Sequence, residues 1–247
     1  MRLKDKVVIV TGAARNIGQV YAVGLAKEGA KVVAADVLDC AETVKLVEAA
    51  GGEALGLLVD VSNEDDTRRM AAATKQRFGR IDGLVNNAAI FGGLELKMFY
   101  DITREEWDRI MGVNLRGVFN CCVAVFPYMK EQNYGRIINI GSNTIYRGVI
   151  GFLHYVTSKG GVLALTRALA REVGPHGINV NSVAPDYVPH KDNDRGEEHD
   201  LNIQKQRAIQ RAERPEDLVG TLVFLLSPDA DFITGQTILV NGGVVMQ

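Results

Sequence analysis

Apolar runs alternate with stretches of helical periodicity along the whole chain. The apolar runs lie at residues 6–12, 31–36, 54–60, 83–88, 136–142, 178–185 and 237–243, and several are continuous rather than alternating. Continuous apolar strands are typical of a parallel sheet that is buried on both faces. Helical patterns lie between them, at about 16–29, 41–50, 64–79, 103–132, 155–173 and 215–226. The alternation predicts an α/β fold: a doubly wound, Rossmann-type parallel sheet of about seven strands flanked by helices.

Two of the predicted helices begin with capping patterns. Ser62 precedes a run of acidic residues and is the predicted cap of the third helix. Thr103 stands three residues before Glu106, which is the spacing of a capping box.

One segment interrupts the alternation of strand and helix patterns. Residues 186–200, DYVPHKDNDRGEEHD, are polar and have no apolar period. Because this stretch is too long for an ordinary connection, we predict a substrate lid at about 186–212. No other break divides the chain, so residues 1–247 are predicted to form a single domain.

Composition excludes several classes of partner. The net charge of −2 gives no basic excess for nucleic acid or anionic lipid. No apolar run reaches the roughly 18 residues of a membrane span, and the N-terminus has no signal-peptide pattern. Three cysteines, Cys40, Cys121 and Cys122, form no framework, which fits a reducing compartment. We therefore expect a cytoplasmic protein with no nucleic-acid partner, no membrane partner and no metal site.

The segment TGAARNIG, residues 11–18, joins the first strand to the first helix. Gly12 permits a tight turn and Gly18 permits close approach, so backbone N–H groups can face a pyrophosphate. Asn16 stands where a central glycine is expected, and asparagine is the non-glycine residue that best tolerates the left-handed region. The loop predicts a dinucleotide site that includes Arg15 and Ile17, although a glycine turn alone is also common as a purely structural element.

Asp36 ends the second strand, 18 residues after Gly18, which is close to the spacing of the acid that binds an adenosine ribose diol. A carboxylate there repels a 2′-phosphate by up to ~4 kcal/mol at an effective dielectric of 20, which favours NAD. Arg15 leaves an alternative open, because a basic residue in the loop either attracts a 2′-phosphate or lies on the adenine.

Tyr155 and Lys159 stand four residues apart and share one helix face. A nearby ammonium and a positive nicotinamide ring both favour tyrosinate, so we predict a lowered pKa for Tyr155. Such a tyrosine can take a proton from an alcohol or return one to an alkoxide.

These motifs, in this order along the chain, resemble the short-chain dehydrogenase/reductase family. The resemblance rests on TGAARNIG, Asp36, Asp60-Val61, NNAA (86–89), Asn114, Ser142, Tyr155 with Lys159, NSVAP (181–185) and FITGQTILVNGG (232–243). The last segment is most similar to NAD-dependent secondary-alcohol dehydrogenases of the family, including the 1-phenylethanol type.

The resemblance implies four catalytic residues. Tyr155 would be the general acid/base, and Lys159 would hold the nicotinamide ribose. Ser142 would bind the substrate oxygen, and Asn114 would hold a water that relays protons to Lys159.

The resemblance also implies five further contacts with the cofactor. Asp60 and Val61 would frame the adenine, Asn87 and Ala88 would line the ribose, and Val188 would offer backbone groups to the carboxamide.

Four positions depart from the family pattern: Asn16 and Ala89 replace glycines, and Asp186 and His190 stand where neutral residues are usual.

For the substrate, Phe91, Tyr146, His154 and Tyr187 are the predicted pocket wall, which would suit an aromatic or cyclic molecule. Core or rim packing is the alternative for each of them.

The predicted function is hydride transfer between NAD(H) and a small secondary alcohol or ketone, in a single dinucleotide-binding catalytic domain. The alternatives are an NADPH-dependent 3-oxoacyl-carrier reductase, a non-catalytic NAD-binding regulator and a sugar-nucleotide epimerase. Helical segments at 119–129 and 158–173 carry small residues and apolar stripes, and together with the resemblance they imply a homotetramer. Burial within one subunit is the other explanation for these stripes.

Overall fold

A computed structural model describes residues 1–190, 193 and 196–246, and it shows one seven-stranded sheet. All strands pair in parallel, in the order β3-β2-β1-β4-β5-β6-β7. The strands are β1 Val7–Thr11, β2 Lys31–Asp36, β3 Ala54–Leu58, β4 Gly83–Asn86, β5 Gly135–Ile140, β6 Ile178–Pro185 and β7 Thr237–Val240. The predicted fold class is confirmed.

Helices cover both faces of the sheet. They are α1 Asn16–Lys27, α2 Ala41–Ala49, α3 Glu64–Phe78, α4 Arg104–Met111, α5 Gly117–Gln132, α6 Thr144–Arg147, α7 Leu153–Val173, α8 Glu197–Gln206 and α9 Pro215–Leu226. Because side chains alternate along a strand, Val8 and Val10 pack with α1 and α9, whereas Ile9 packs with α3 and α5 on the other face. The two resulting cores bury the sheet on both sides.

The capping predictions had different outcomes. Thr103 and Glu106 form the predicted capping box at the start of α4. At α3 the prediction was wrong by one residue, because Asn63 caps the helix and its Oδ1 accepts from the Asp65 amide at 2.9 Å. The Ser62 hydroxyl instead donates to Asp60 at 2.7 Å.

The predicted helix at 103–132 is interrupted. A π-helical turn, Gly112–Arg116, separates α4 from α5. The whole stretch Arg104–Gln132 is long and apolar enough to cross a membrane by length and composition, but 56% of its most apolar window is buried inside the fold. Burial of this extent is typical of the core helix of a folded domain.

The predicted lid contains a helix that its lack of apolar period did not indicate. Residues 186–190 are irregular and α8 follows, with Glu197, Glu198 and Asp200 in its first turn and Lys205 in its last. These charges complement the helix dipole, so the helix needs no apolar stripe to begin and end there. Four charged residues of the predicted lid, Lys191, Asp192, Asp194 and Arg195, lie outside the described residues.

Candidate active site

The carboxyl ends of the strands open onto one cavity of about 760 Å³. The strand order reverses at β1, which lies between β2 and β4, and doubly wound sheets bind ligands at such a switch point. Thirteen predicted cofactor residues line it: Gly12, Arg15, Asn16, Ile17, Gly18, Asp36, Asp60, Val61, Asn87, Ala88, Tyr155, Lys159 and Val188. Ser142, Phe91 and Tyr187 line the same cavity.

The glycine loop has the conformation that its sequence predicted. Asn16 adopts a left-handed φ of 52°, and Gly12 has a φ of 66°. A Cβ built at Gly18 would lie 2.0 Å from the Gly12 carbonyl oxygen. Only glycine fits at this position, so the loop folds closely over the start of α1, and a dinucleotide phosphate would meet backbone N–H groups there.

Asp36 both supports the loop and faces the cavity. Its Oδ2 accepts from the Ala14 amide at 2.9 Å, and its Oδ1 accepts from the Leu38 amide at 3.1 Å. A carboxylate has about four lone-pair sites, so acceptor capacity remains for a ribose diol. Thr43, which the sequence analysis missed, donates its hydroxyl to the Ala13 carbonyl at 2.7 Å and supports the loop from α2.

Asn87 joins the end of β4 to the glycine loop. Its Nδ2 donates to the carbonyls of Thr11 at 2.9 Å and Gly12 at 3.0 Å. The Ala88 amide donates to the Thr11 hydroxyl at 3.1 Å. The side chain of Asn87 therefore holds the loop in place from the neighbouring strand.

Tyr155, Lys159 and Ser142 meet in the cavity where β5 ends and α7 begins. Tyr155 is buried, and burial raises its pKa to about 12, while a hydrogen bond with Ser142 opposes the rise. Burial lowers the pKa of Lys159 to about 8. The Lys159 Nζ donates to the Ile140 carbonyl at 2.7 Å and lies 5.9 Å from the centre of the Tyr155 ring.

The predicted lowering of the Tyr155 pKa is therefore not found in the protein alone. Desolvation penalises the tyrosinate more than the neighbouring groups stabilise it. The same desolvation disfavours the ammonium of Lys159, which weakens the cation that the prediction relied on.

Asn114 lies in the π-helical turn and does not line the cavity. Its Oδ1 accepts from the Ile90 amide at 2.7 Å, and its Nδ2 donates to the Ile90 carbonyl at 3.2 Å. Nδ2 also donates to the Ser158 hydroxyl at 3.3 Å. These bonds tie the turn to Ile90 and to α7, and the predicted role of Asn114 in holding a water stays a prediction.

The aromatic wall is smaller than predicted. The Phe91 ring lies 5.0 Å from that of Tyr155 and 5.8 Å from that of Phe152, and all three line the cavity. Tyr146 does not line it, and its hydroxyl is buried without a hydrogen-bond partner in the described part of the chain. His154 also faces elsewhere, because adjacent helical residues diverge by about 100°, and its Nδ1 accepts from the Tyr155 amide at 3.0 Å.

Asp186 is buried in a polar cluster that the sequence analysis did not foresee. Its Oδ2 accepts from Arg207 Nε at 2.8 Å, and its Oδ1 accepts from Asn143 Nδ2 at 2.7 Å. The Asp186 amide donates to Glu213 at 3.1 Å, and burial raises the pKa of Glu213 to about 8. The unusual charge at 186 is thus matched by Arg207, which stands 21 residues later.

The remaining two departures, Ala89 and His190, line the cavity. The His190 amide donates to Asn193 Oδ1 at 2.7 Å, and Asn193 Nδ2 donates to the Val188 carbonyl at 3.0 Å. The first residues of the predicted lid are therefore held in a turn beside the cavity.

Comparison with known proteins gives consistent matches over almost the whole chain. The profile of a family described as enoyl-(acyl carrier protein) reductase matches residues 12–245. The short-chain reductase protein NovJ of Streptomyces niveus is 38% identical over 250 residues, which cover 97% of this chain and 94% of NovJ. The 3-oxoacyl-acyl-carrier-protein reductase FabG of Staphylococcus epidermidis is 38% identical over 247 residues, 98% of this chain and 100% of the relative.

A solved structure agrees. The crystal structure of a protein from Sinorhizobium meliloti, provisionally named a short-chain alcohol dehydrogenase, superposes with a TM-score of 0.92 at 35% identity. The superposition covers 98% of this chain and 97% of that protein.

Proposed function

Because the chain belongs to the short-chain dehydrogenase/reductase family, as its motifs suggested, we propose that it transfers hydride between NAD(H) and a secondary alcohol or ketone. The family makes it an oxidoreductase that uses a nicotinamide cofactor. The observation that carries the proposal is the grouping of Tyr155, Ser142 and Lys159 on one cavity with the glycine loop and Asp36.

The proposed chemistry divides between the cofactor and the chain. A bound nicotinamide supplies or accepts the hydride. The Tyr155 hydroxyl moves the proton, and Ser142, which lowers the pKa of Tyr155 as a hydrogen-bonding neighbour, holds the same substrate oxygen. Lys159 holds the ribose beside them, and as an ammonium it favours the ionised phenol. The rings of Phe91 and Phe152 keep water away from the reacting carbon.

Asp36 supports the choice of NAD. Its carboxylate lines the cavity at the end of β2, where a 2′-phosphate would meet a like charge. Arg15 lines the same cavity and supports the opposite choice. Initial rates with NAD and NADP at equal concentration test the preference, and a higher kcat/KM with NADP would contradict it.

The substitution Tyr155→Phe tests the mechanism. Screening secondary alcohols at 340 nm gives a working substrate, and Tyr155→Phe then lowers kcat by roughly 10²–10⁴-fold, because the proton loses its carrier. Tyr146→Phe is the matched control: it removes the same hydroxyl nine positions away, off the cavity, and kcat stays within about twofold. Turnover by Tyr155→Phe within a few-fold of wild type would refute the role, and wild-type NADH formation separates an enzyme from a non-catalytic NAD-binding regulator.

A second candidate has support of its own. Two relatives, from Staphylococcus epidermidis and Thermotoga maritima, are named 3-oxoacyl-acyl-carrier-protein reductase and align along their full length. NADPH-dependent reduction of a 3-oxoacyl thioester is therefore the alternative activity. Acetoacetyl thioester with NADPH, assayed beside the alcohol panel with NAD, distinguishes the two by kcat/KM.

We also propose a homotetramer in the cytoplasm that acts on a small molecule, without nucleic-acid or membrane partners. Exposed Phe119 and Val123 on α5 support the assembly, since such apolar side chains gain from burial against another copy. Light scattering tests it, with a mass near that of four chains as the expected result.

A further inference from the structure

Beyond the catalytic hydroxyls, the cavity has a polar end. The lid helix α8 turns three polar residues toward it, His199, Asn202 and Gln206, which recur at helical spacing. Arg147 faces the same space from α6, and its Nη2 donates to Gln206 Oε1 at 2.7 Å. This polar end contrasts with the rings of Phe91 and Phe152 beside Tyr155.

Arg147 is the less well neutralised of two arginines near one carboxylate. Asp186 Oδ2 is bound by the buried Arg207, and Asp186 Oδ1 by Asn143. Arg147 Nη1 lies 3.5 Å from Asp186 Oδ1, a longer contact than those that Asp186 makes with Arg207 and Asn143. The Arg147 side chain keeps 28% of its surface exposed, against 2% for Arg207.

Glu213 does not restore the balance at neutral pH. It lies 3.9 Å from Arg207, but burial raises its pKa to about 8, so most of it is protonated at pH 7. Two guanidinium groups then share one carboxylate. Among the described residues that line the cavity, the other acidic ones are Asp36, which ends β2, and Asp60, which follows β3. Both strands lie on the far side of β1 from β5.

Arg147 and the catalytic serine belong to one short segment. Thr144, at the start of α6, donates its hydroxyl to Ser142 Oγ at 3.0 Å, and Arg147 ends the same single turn. The same short segment would therefore hold a group on Arg147 and the substrate oxygen on Ser142. Guanidinium groups bind carboxylates through two parallel N–H donors, and Arg147 has donors beyond those it uses on Gln206 and Asp186.

We propose that the site takes a hydroxy acid or oxo acid, with its carboxylate on Arg147 and its carbinol or carbonyl between Ser142 and Tyr155. This inference rests on the proposed function and makes Arg147 a specificity-determining residue. The rings of Phe91 and Phe152 beside Tyr155 suit an apolar substituent on the carbinol or carbonyl carbon.

Matched substrates test the proposal. Mandelate is compared with 1-phenylethanol, and 3-hydroxybutyrate with 2-butanol, in each case as kcat/KM with NAD. The wild-type enzyme should prefer the acid of at least one pair by tenfold or more. Arg147→Gln should raise KM for that acid at least tenfold and leave the neutral alcohol within about threefold, because only the acid loses a charge-assisted pair.

Two further variants separate charge from folding. Arg147→Lys keeps the charge but loses the paired N–H donors that bind a carboxylate through two hydrogen bonds. KM for the acid should therefore lie between those of wild type and Arg147→Gln. Arg104→Gln removes a cation that does not line the cavity, so KM should stay unchanged for both the acid and the neutral alcohol. Mandelate should also raise the melting temperature of the wild type more than that of Arg147→Gln, which measures binding without turnover.

Failure of the carboxylate inference and failure of the proposed dehydrogenase function give different results. If neutral alcohols are oxidised and both acids are rejected, or if Arg147→Gln weakens acid and alcohol equally, the carboxylate inference is overturned while the dehydrogenase proposal stands. If Tyr155→Phe leaves turnover intact, the proposed function itself fails.

Discussion

Replacing Glu213 with glutamine should stabilise the protein increasingly as the pH rises. The Glu213 Oε2 accepts from the Asp186 amide at 3.1 Å, whereas its Oε1 is buried without a hydrogen-bond partner in the described chain. Burial is the main cause of its raised pKa, and Asp186 and Asp217 add to it. Arg207, 3.9 Å away, opposes this rise in the Glu213 pKa. The Glu213 carboxyl in turn raises the pKa of the buried Tyr21 on α1 and of Arg211.

The sign of the effect follows from the direction of the shift. The pKa of Glu213 rises from 4.5 to about 8 on folding. A carboxyl with a raised folded-state pKa contributes stability that is fully present below 4.5 and is lost as the pH rises through about 8. The complete loss is roughly 5 kcal/mol, at about 1.4 kcal/mol per pH unit, and about 3 kcal/mol of it falls between pH 6 and pH 9.

Glutamine stays neutral throughout this range and keeps an acceptor for the Asp186 amide. The free energy of unfolding of Glu213→Gln, minus that of wild type, should therefore rise by about 3 kcal/mol from pH 6 to pH 9. Urea unfolding at one fixed protein concentration measures it, since any oligomer makes stability depend on concentration. Glu48→Gln, which changes an exposed carboxylate on α2, is the control. If wild type and Glu213→Gln change in parallel over this range, the reasoning about Glu213 is refuted.

Three further predictions concern the loop and the catalytic pair. Gly18→Ala should abolish NADH binding measured by fluorescence, because its Cβ would lie 2.0 Å from the Gly12 carbonyl oxygen; retained affinity would show that the loop yields easily. Asn16→Ala should lower the free energy of unfolding in urea by about 1–2 kcal/mol, because alanine is strained at the φ of 52° found there. Asn16→Gly should not lower it, and equal losses in the two variants would contradict a conformational cause. Lys159→Met should move the pH dependence of kcat/KM for alcohol oxidation to higher pH, because Tyr155 loses a neighbouring cation; an unmoved profile would exclude that role for Lys159.

Local patterns predicted the sheet and the loop because each depends on nearby residues. Apolar runs, several of them continuous, indicated every strand, since a parallel sheet buries both faces of its inner strands. The left-handed conformation of Asn16 followed from its place between two glycines and from the tolerance of asparagine for that region. The carboxyl ends of parallel strands lie at one edge of the sheet. Asp36, Asn87 and Ser142 each lie at or just after such a strand end, and all three line the same cavity.

The features that were missed depend on residues distant in sequence. The π-helical turn goes with the pairing of Asn114 with Ile90, 24 positions earlier, and no helical pattern reveals such a partner. Arg207 and Asp186 are 21 residues apart, and each alone resembles a solvated surface charge. Tyr146 was predicted to form part of the pocket wall, but it lies on a single turn of helix and does not line the cavity.

The charge state of the catalytic pair favours one direction of the proposed reaction in the protein alone. Isolated tyrosine and lysine have nearly equal pKa values, about 10 and 10.4, so a tyrosinate beside an ammonium costs little in water. Burial separates the two values to about 12 for Tyr155 and about 8 for Lys159. Burial therefore favours the neutral phenol and the neutral amine over the tyrosinate–ammonium pair. A neutral phenol is ready to donate its proton to a ketone oxygen, whereas oxidation of an alcohol first requires the tyrosinate. In the protein alone Tyr155 is thus a proton donor, the form that the proposed ketone reduction needs, and the reverse oxidation would need positive charge near Tyr155, which a bound oxidised nicotinamide would supply.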